Sequence, residues 1–182
     1  MAVPIQSVLA AVLIAALHTL VSPGVRAAEP AVGYALGLGD KVRITVFGEP
    51  ELSVSAWVGD QGTIPYPLIG ELPVRGLRLP EVERLVVARL KGPYLVDPQV
   101  TVSVDEYRPF FVLGQVNRPG GYPYAPGLTV RKAVSFAGGF TDRASRGKIF
   151  LTSEDAPQDE RRVEETDPVG PSDTVIVKGS FF

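Results

Sequence analysis

The sequence has 182 residues, with no cysteine and only one histidine. The first absence removes a disulfide framework, a thiolate metal site, a thiol nucleophile and a lipid-modified N-terminal cysteine. The single histidine, His18, lies in an N-terminal stretch that reads as a signal. Once that stretch is gone, a Ser-His-Asp triad and a histidine metal site are excluded as well. Charge of one sign is also lacking. Eighteen Lys and Arg stand against 20 Asp and Glu, for a formal net charge of -2. The basic residues are scattered among acids, so no concentrated face is available for phosphates, and nucleic acid is not expected as a partner. Long apolar runs are scarce. The one unbroken run, Val8 to Leu17, is about half of the roughly twenty residues that a membrane-spanning helix needs.

That run fits the apolar core of a secretory signal. Pro23-Gly24 ends any helix there, and Val25-Arg26-Ala27 offers small residues for cleavage before Ala28. No Lys or Arg precedes the run, so only the α-amine supplies positive charge. Residues 1–27 are therefore expected to be either a cleaved signal or a retained anchor, and the remainder a soluble protein outside the cytoplasm.

Glycine and proline are plentiful, 19 and 17, which suits short strands joined by turns rather than a helical bundle. Lys41 to Phe47 alternates, with Val42, Ile44 and Val46 on one side, as a half-buried strand does. Extended runs follow at Leu52–Val58, Thr63–Tyr66 and Glu71–Val74, and their turn spacing suggests a small meander. Val82, Leu85, Val86 and Leu90 then switch to a helical period over Leu79–Lys91, with Leu79 at the cap position and Pro80 in the first turn. Val100 to Asp105 alternates again. A second unit starts near Arg108-Pro109. It has a strand at Phe110–Val116, a tight turn at Asn117–Gly121 and a helix at Thr129–Ala137 capped by Thr129 and stopped by Gly138-Gly139. Strands follow at Lys148–Thr152 and Thr174–Lys178. Between them, Ser153–Thr166 carries eight charges in fourteen residues and reads as an exposed loop. One helix laid across a small mixed sheet suits a β-grasp module.

Few residues invite chemistry. Glu49 and Glu51 flank Pro50, while Asp40, Asp60 and Glu71 sit in turns. Glycosidic hydrolysis requires two carboxyls facing one another across a cleft, whereas these acids read as turn formers and solvated ends. Gly37-x-Gly39 leads into Asp40 rather than a helix, and Gly138-Gly139 follows a helix, so neither cradles phosphate. No metal site and no cofactor are expected. Trp57, Tyr66, Tyr94, Tyr107, Phe110, Tyr122 and Tyr124 either pack the sheets or offer flat faces to sugars. Tyr122 and Tyr124 have the most open setting, among Pro and Gly. Arg118 could pair with an acidic sugar or a neighbouring subunit's carboxylate, or could simply be a solvated turn residue.

Several motifs in order carry a resemblance. They begin with Tyr34-x-Leu36-Gly37-x-Gly39-Asp40-x-Val42-x-Ile44-x-Val46-x-Gly48-Glu49 and continue with Asp60-x-Gly62-Thr63-Ile64, Pro67-Leu68-Ile69-Gly70 and Asp97-Pro98-Gln99-Val100. Val112-x-Gly114-x-Val116-x-Arg118-Pro119-Gly120-x-Tyr122-Pro123, Ala137-Gly138-Gly139-Phe140-Thr141 and Asp173-Thr174-Val175 complete the series. Together they resemble the bacterial polysaccharide export (outer-membrane polysaccharide exporter) family in its short form, with one soluble-ligand-binding β-grasp (SLBB) domain. Gly39, Asp40, Gly62, Gly70, Pro119, Gly120, Gly138 and Gly139 are its structural turn positions.

The resemblance implies an α+β fold. A polysaccharide-export domain over residues 28–107 would precede a β-grasp-like SLBB domain over 108–182, each with one helix on a mixed sheet. It implies no enzyme, but a periplasmic, outer-membrane-associated homo-oligomeric ring that conducts a capsular or exopolysaccharide chain. The ring would work with an inner-membrane polymerase and co-polymerase. Larger members carry a lipidated Cys and a pore-forming helix; the short form would rely on a separate outer-membrane pore protein. The alternatives are a monomeric periplasmic carbohydrate-binding module and a carboxylate-dependent polysaccharide-processing enzyme.

Overall fold

Lys41–Val46 (β1) is the alternating strand expected, with Val42, Ile44 and Val46 buried. It is the middle strand of a three-stranded sheet. The computed structural model describes residues 33–154 and 156–180, so the expected signal over 1–27 lies outside the described residues. After β1 a single 3-10 turn, Pro50–Leu52, leads to β2 (Val54–Trp57), then β3 (Thr63–Tyr66), β4 (Gly70–Pro73), helix α1 (Leu79–Leu90) and β5 (Val100–Glu106). The strands do not form one meander. β1 pairs with both β2 and β5, and β3 and β4 form a separate hairpin. The reason is apolar matching: Val102 and Val104 of β5 stand opposite Ile44 and Val42 of β1, closing a face that nearby strands leave open. Both pairings are antiparallel, so this sheet is not mixed as expected.

Helix α1 buries Val82, Val86 and Leu90 against that sheet. Its cap is Arg78, one residue before the expected Leu79. Arg78 brings no capping oxygen. Instead the Glu81 carboxylate accepts the Arg78 N–H at 2.7 Å, satisfying a group at the helix entrance and placing negative charge at the positive end of the dipole. Glu83 reaches across to accept the Val102 N–H at 2.9 Å, which pins the helix to β5.

The second half contains β6 (Phe110–Gly114), β7 (Gly120–Tyr122), helix α2 (Val130–Phe136), β8 (Ala144–Ser153), β9 (Ala156–Val163) and β10 (Thr174–Gly179). Their order is β7-β6-β10-β8-β9. β10 runs parallel to β6 and antiparallel to β8, so this sheet is mixed, as expected. Thr129 caps α2, its hydroxyl accepting from the Lys132 N–H at 3.5 Å. Val130, Ala133 and Val134 turn inward onto Phe110, Val112, Ile149 and Val175. The exposed loop expected over Ser153–Thr166 is instead mostly strand β9, paired antiparallel with a β8 longer than expected. Most of β9 is exposed on both faces, so no apolar alternation marked it. Its charges suit an outermost strand, where they oppose pairing with another chain.

Both middle strands are entered by the same turn. Asp40 accepts the N–H of Gly37 at 2.8 Å, and Asp173 that of Gly170 at 2.7 Å. The residue before each aspartate is left-handed, Gly39 at φ 82° and Ser172 at φ 63°.

Gly114 closes β6 at φ 87°, where a Cβ would lie 2.1 Å from the Val177 carbonyl oxygen across the parallel pair. Gly114→Ala is therefore expected to cost about 3 kcal/mol or more, read as a lowered urea midpoint. An unchanged midpoint would show that β6 and β10 do not approach as described.

Candidate functional site

The most heavily engaged polar group is Asp40, which is 0% exposed. Its carboxylate accepts the Gly37 N–H at 2.8 Å, the Arg108 N–H at 3.0 Å and the hydroxyl of Tyr34. Three donors, two from the segment before β1 and one from the segment after β5, thus meet one acceptor at the boundary between the two apolar cores. The Arg108 guanidinium pairs with Glu154 at 3.0 Å and lies against Gly37. A Cβ on Gly37 would fall 1.5 Å from Nη1 of Arg108, so a side chain there would displace the guanidinium. Tyr34, Tyr107 and Tyr124 form an edge-to-face series beside it, with centroids 5.2 and 5.4 Å apart.

Burial pushes the Tyr34 phenol far up, helped by its hydrogen bond to Asp40 and the charge of Asp40. Burial, then the Asp40 charge, raises Tyr107. Burial also raises Tyr124 and Tyr66, and Tyr66 donates to the Leu52 carbonyl at 2.6 Å. Asp105 is held below the usual carboxylate range by hydrogen bonds from Arg43 and Ser55.

The expected contact residues sit otherwise than their Pro-Gly setting suggested. Tyr122 and Tyr124 are half-buried. The Tyr122 ring packs against Phe110 at 5.8 Å and Phe136 at 6.2 Å, and its hydroxyl donates to the Arg118 carbonyl. Tyr124 belongs to the tyrosine series. Each ring is partly covered, Tyr122 by Phe110 and Phe136 and Tyr124 by Tyr107. Arg118 is exposed, and its Nη2 donates to the Phe136 carbonyl at 3.2 Å. It lies near an open groove lined by Arg131, Lys132, Ser135 and Phe136. Gly39 and Asp40 enter β1, Gly62 lies under Arg75 and Gly70 opens β4. Pro119 and Gly120 lead into β7, while Gly138 and Gly139, at φ 78° and 86°, close α2.

A second open groove, about 480 Å³, is lined by Trp57, Asp60, Gln61, Thr63, Pro65 and Glu71. Trp57 stands opposite Lys41 on the polar face of the first sheet and is 51% exposed. The Lys41 ammonium lies 5.2 Å from the ring centroid and pairs with Glu106 at 2.9 Å. Thr63, Pro65 and Glu71 share the outer face of the β3–β4 hairpin, where the Thr63 hydroxyl donates to Glu71 at 2.5 Å. Among the aromatics named from sequence, Trp57 had no local signal of exposure. The signal lies in register: its partner Lys41 alternates outward.

Glu49 is raised by its hydrogen bond to Glu51, then by slight burial and by that neighbour's charge. Both acids border one surface turn, not opposite walls of a cleft. Among the described residues there is no cluster of three or more His, Cys, Asp or Glu suited to a metal. No helix among them is long and apolar enough to cross a membrane, which says nothing of a β-barrel.

Asp40→Ala should destabilise the fold by about 3 kcal/mol or more, since it strands three donors of which two are backbone amides. A two-state urea melt with an unchanged midpoint would contradict the role given to Asp40. The raised phenols dictate a pH dependence. The folded chain keeps protons that the unfolded chain releases above the ordinary tyrosine value of 10.0. Their contribution is thus complete below that value and declines as pH rises from it towards the folded-state values. Tyr34→Phe should lower stability at neutral pH yet flatten the alkaline decline, measured by denaturation at a series of pH values. An equally steep decline in the variant would contradict this assignment.

Comparison with known proteins places these features. Residues 28–105 match the family described as polysaccharide biosynthesis/export protein, and residues 109–163 match the SLBB domain. The exopolysaccharide production protein ExoF of Rhizobium meliloti (strain 1021) is 38% identical over 129 residues, which cover 64% of this chain and 30% of ExoF. The chain thus spans less than a third of that relative's length. Along the strands and helices described above, the chain thus carries a segment of the polysaccharide biosynthesis/export family followed by an SLBB domain.

Proposed function

We propose that the protein takes part in exopolysaccharide export as a non-catalytic component of the cell envelope. The observation that carries this reading is the succession of an export-family segment and an SLBB segment along one chain, together with its likeness to ExoF. In this reading residues 1–27 direct the chain to the periplasm, and the working domains are 28–107 and 108–182. Copies assemble into a ring associated with the outer membrane. The ring receives polymer from an inner-membrane polymerase and co-polymerase and delivers it to a separate pore protein. A hydrated chain passes such a ring only if each contact is weak, since tight binding would oppose release.

Assembly is supported by the face of the second sheet that points away from α2. Phe111 and Leu113 of β6 are exposed there, and Ile176 of β10 stands between Leu113 and Phe150 in register. Four large apolar side chains side by side on an otherwise water-facing sheet suit contact with another protein surface, here a second copy.

Deleting the gene should leave polymer trapped in the periplasm and reduce what is secreted; unchanged secretion would overturn the reading. Leu113→Asp should convert the assembled species to monomer in sedimentation while the circular dichroism spectrum stays native. A full-sized assembly in that variant would remove this sheet face from the interface.

A further inference from the structure

We propose that the groove beside Trp57 is a contact site for neutral sugar units of the transported polymer, an assignment that rests on the export reading above. The indole does not belong to a core. Its register partner Lys41 and the next outward pair, Arg43 with Ser55, make this a polar, water-facing sheet surface. Half of a large apolar ring is left in water there, next to a polar groove. An exposed aromatic face beside hydrogen-bonding groups matches the two-sided chemistry of a pyranose. The C–H groups of the sugar pack on the ring, and its hydroxyls meet acceptors at the ring's edge.

The acceptors are Asp60 and Glu71, with the Gln61 amide able to donate and accept. The Thr63 hydroxyl donates to Glu71, which orients the carboxylate and leaves its second oxygen for a sugar hydroxyl. Trp57 ends a paired strand, and Thr63, Pro65 and Glu71 sit on a hairpin, so these walls are held by backbone pairing, while Asp60 and Gln61 come from the turn that joins β2 to β3.

Charge sets the class of sugar. Two carboxylates line the groove and no Lys or Arg does. Lys41, the cation on the ring, is engaged by Glu106 and is not part of the groove lining. A uronic or pyruvylated unit would bring a third negative charge against two, whereas a neutral hexose brings only hydroxyl donors. The groove is open, so few contacts form at once and affinity stays low, as passage requires.

Trp57 is the only tryptophan in the sequence, so intrinsic emission reports directly on the groove. The purified full chain would be titrated separately with cellotetraose, laminaritetraose, maltotetraose and tetragalacturonate. At least one neutral tetrasaccharide should change the emission saturably, with a half-point around the millimolar range. Tetragalacturonate should respond at least about tenfold more weakly, and that gap should narrow in Asp60→Asn/Glu71→Gln. In cells, Trp57→Ala should reduce secreted polymer while Trp57→Phe restores most of it, with the urea midpoint of both variants near that of the unaltered chain. Silence towards all three neutral probes, or an equal response to the uronate, would overturn the assignment. If the titration is silent but gene deletion still traps polymer, the groove fails and export stands. If deletion leaves secretion intact, the export reading fails whatever the titration shows.

Discussion

A single buried carboxylate holds the two halves of this molecule in register. Burying Asp40 is costly unless its oxygens are supplied with donors. The chain supplies them from the segment before β1 and from the segment that follows β5. Because the Arg108 N–H is one of those donors, the start of the second core is fastened to the start of the first. The surrounding choices follow from that fastening. The Arg108 guanidinium lies where a side chain at Gly37 would begin, and three tyrosines pack edge to face beside the carboxylate. Asp173 repeats the entry turn ahead of β10, but with one glycine N–H as its side-chain partner. The same local device therefore starts a strand in both halves and additionally joins the halves in only one.

The two sheets present unlike surfaces to solvent, and this separation of character is the basis for assigning them different work. On the first, Arg43 pairs with Asp105 at 2.8 Å, Ser55 donates to Asp105 at 2.7 Å, and Lys41 pairs with Glu106. Its polar groups are mutually satisfied, and the surface remains stable in water. On the second, Phe111, Leu113, Ile176 and Phe150 lie across three strands with Lys178 over Phe150 at 5.4 Å. Apolar area of that kind gains free energy by leaving water, while a wetted polar surface gains little from a protein partner and suits a hydrated polymer better. Highly charged β9 covers one margin of the apolar face and opposes pairing beyond it.

Sequence legibility tracked how local each signal was. β1, β5 and the two helices were readable because apolar period alone specifies them: Val42, Ile44 and Val46 in one case, Val82, Val86 and Leu90 in another. The turn glycines were readable because left-handed backbone has few alternatives. β9 was not, because both of its faces are wet and its only determinant is the backbone of β8. Nor was the pairing of β1 with β5, which depends on a contact across more than fifty residues of chain. At the site the order of promise was inverted. Tyr122 and Tyr124 looked open beside Pro and Gly, yet Phe110, Phe136 and Tyr107 pack against them and leave them half-buried. Trp57 looked like one more sheet aromatic until its register with Lys41 placed it outside. The family motifs survived this inversion because they consist of turns and strand alternation, the features that local sequence does encode.

Under the export reading proposed above, weak contact with polymer and durable assembly would make opposite demands on the same chain. A ring subunit must hold its neighbours for as long as a polymer is moving, which favours a dry interface of several large apolar side chains acting together. A polymer unit must be released each time the chain advances, which favours one aromatic face, a few acceptors and ready access for water to replace them. Placing both on one sheet would force a compromise, since the apolar area that secures the neighbour would also retain the sugar. Here the apolar cluster lies on the second sheet and the lone indole on the first, and the Asp40 junction fixes the one relative to the other. In the proposed reading, strength of attachment to neighbours and ease of polymer passage are then set by separate residues, Leu113 for one and Trp57 for the other.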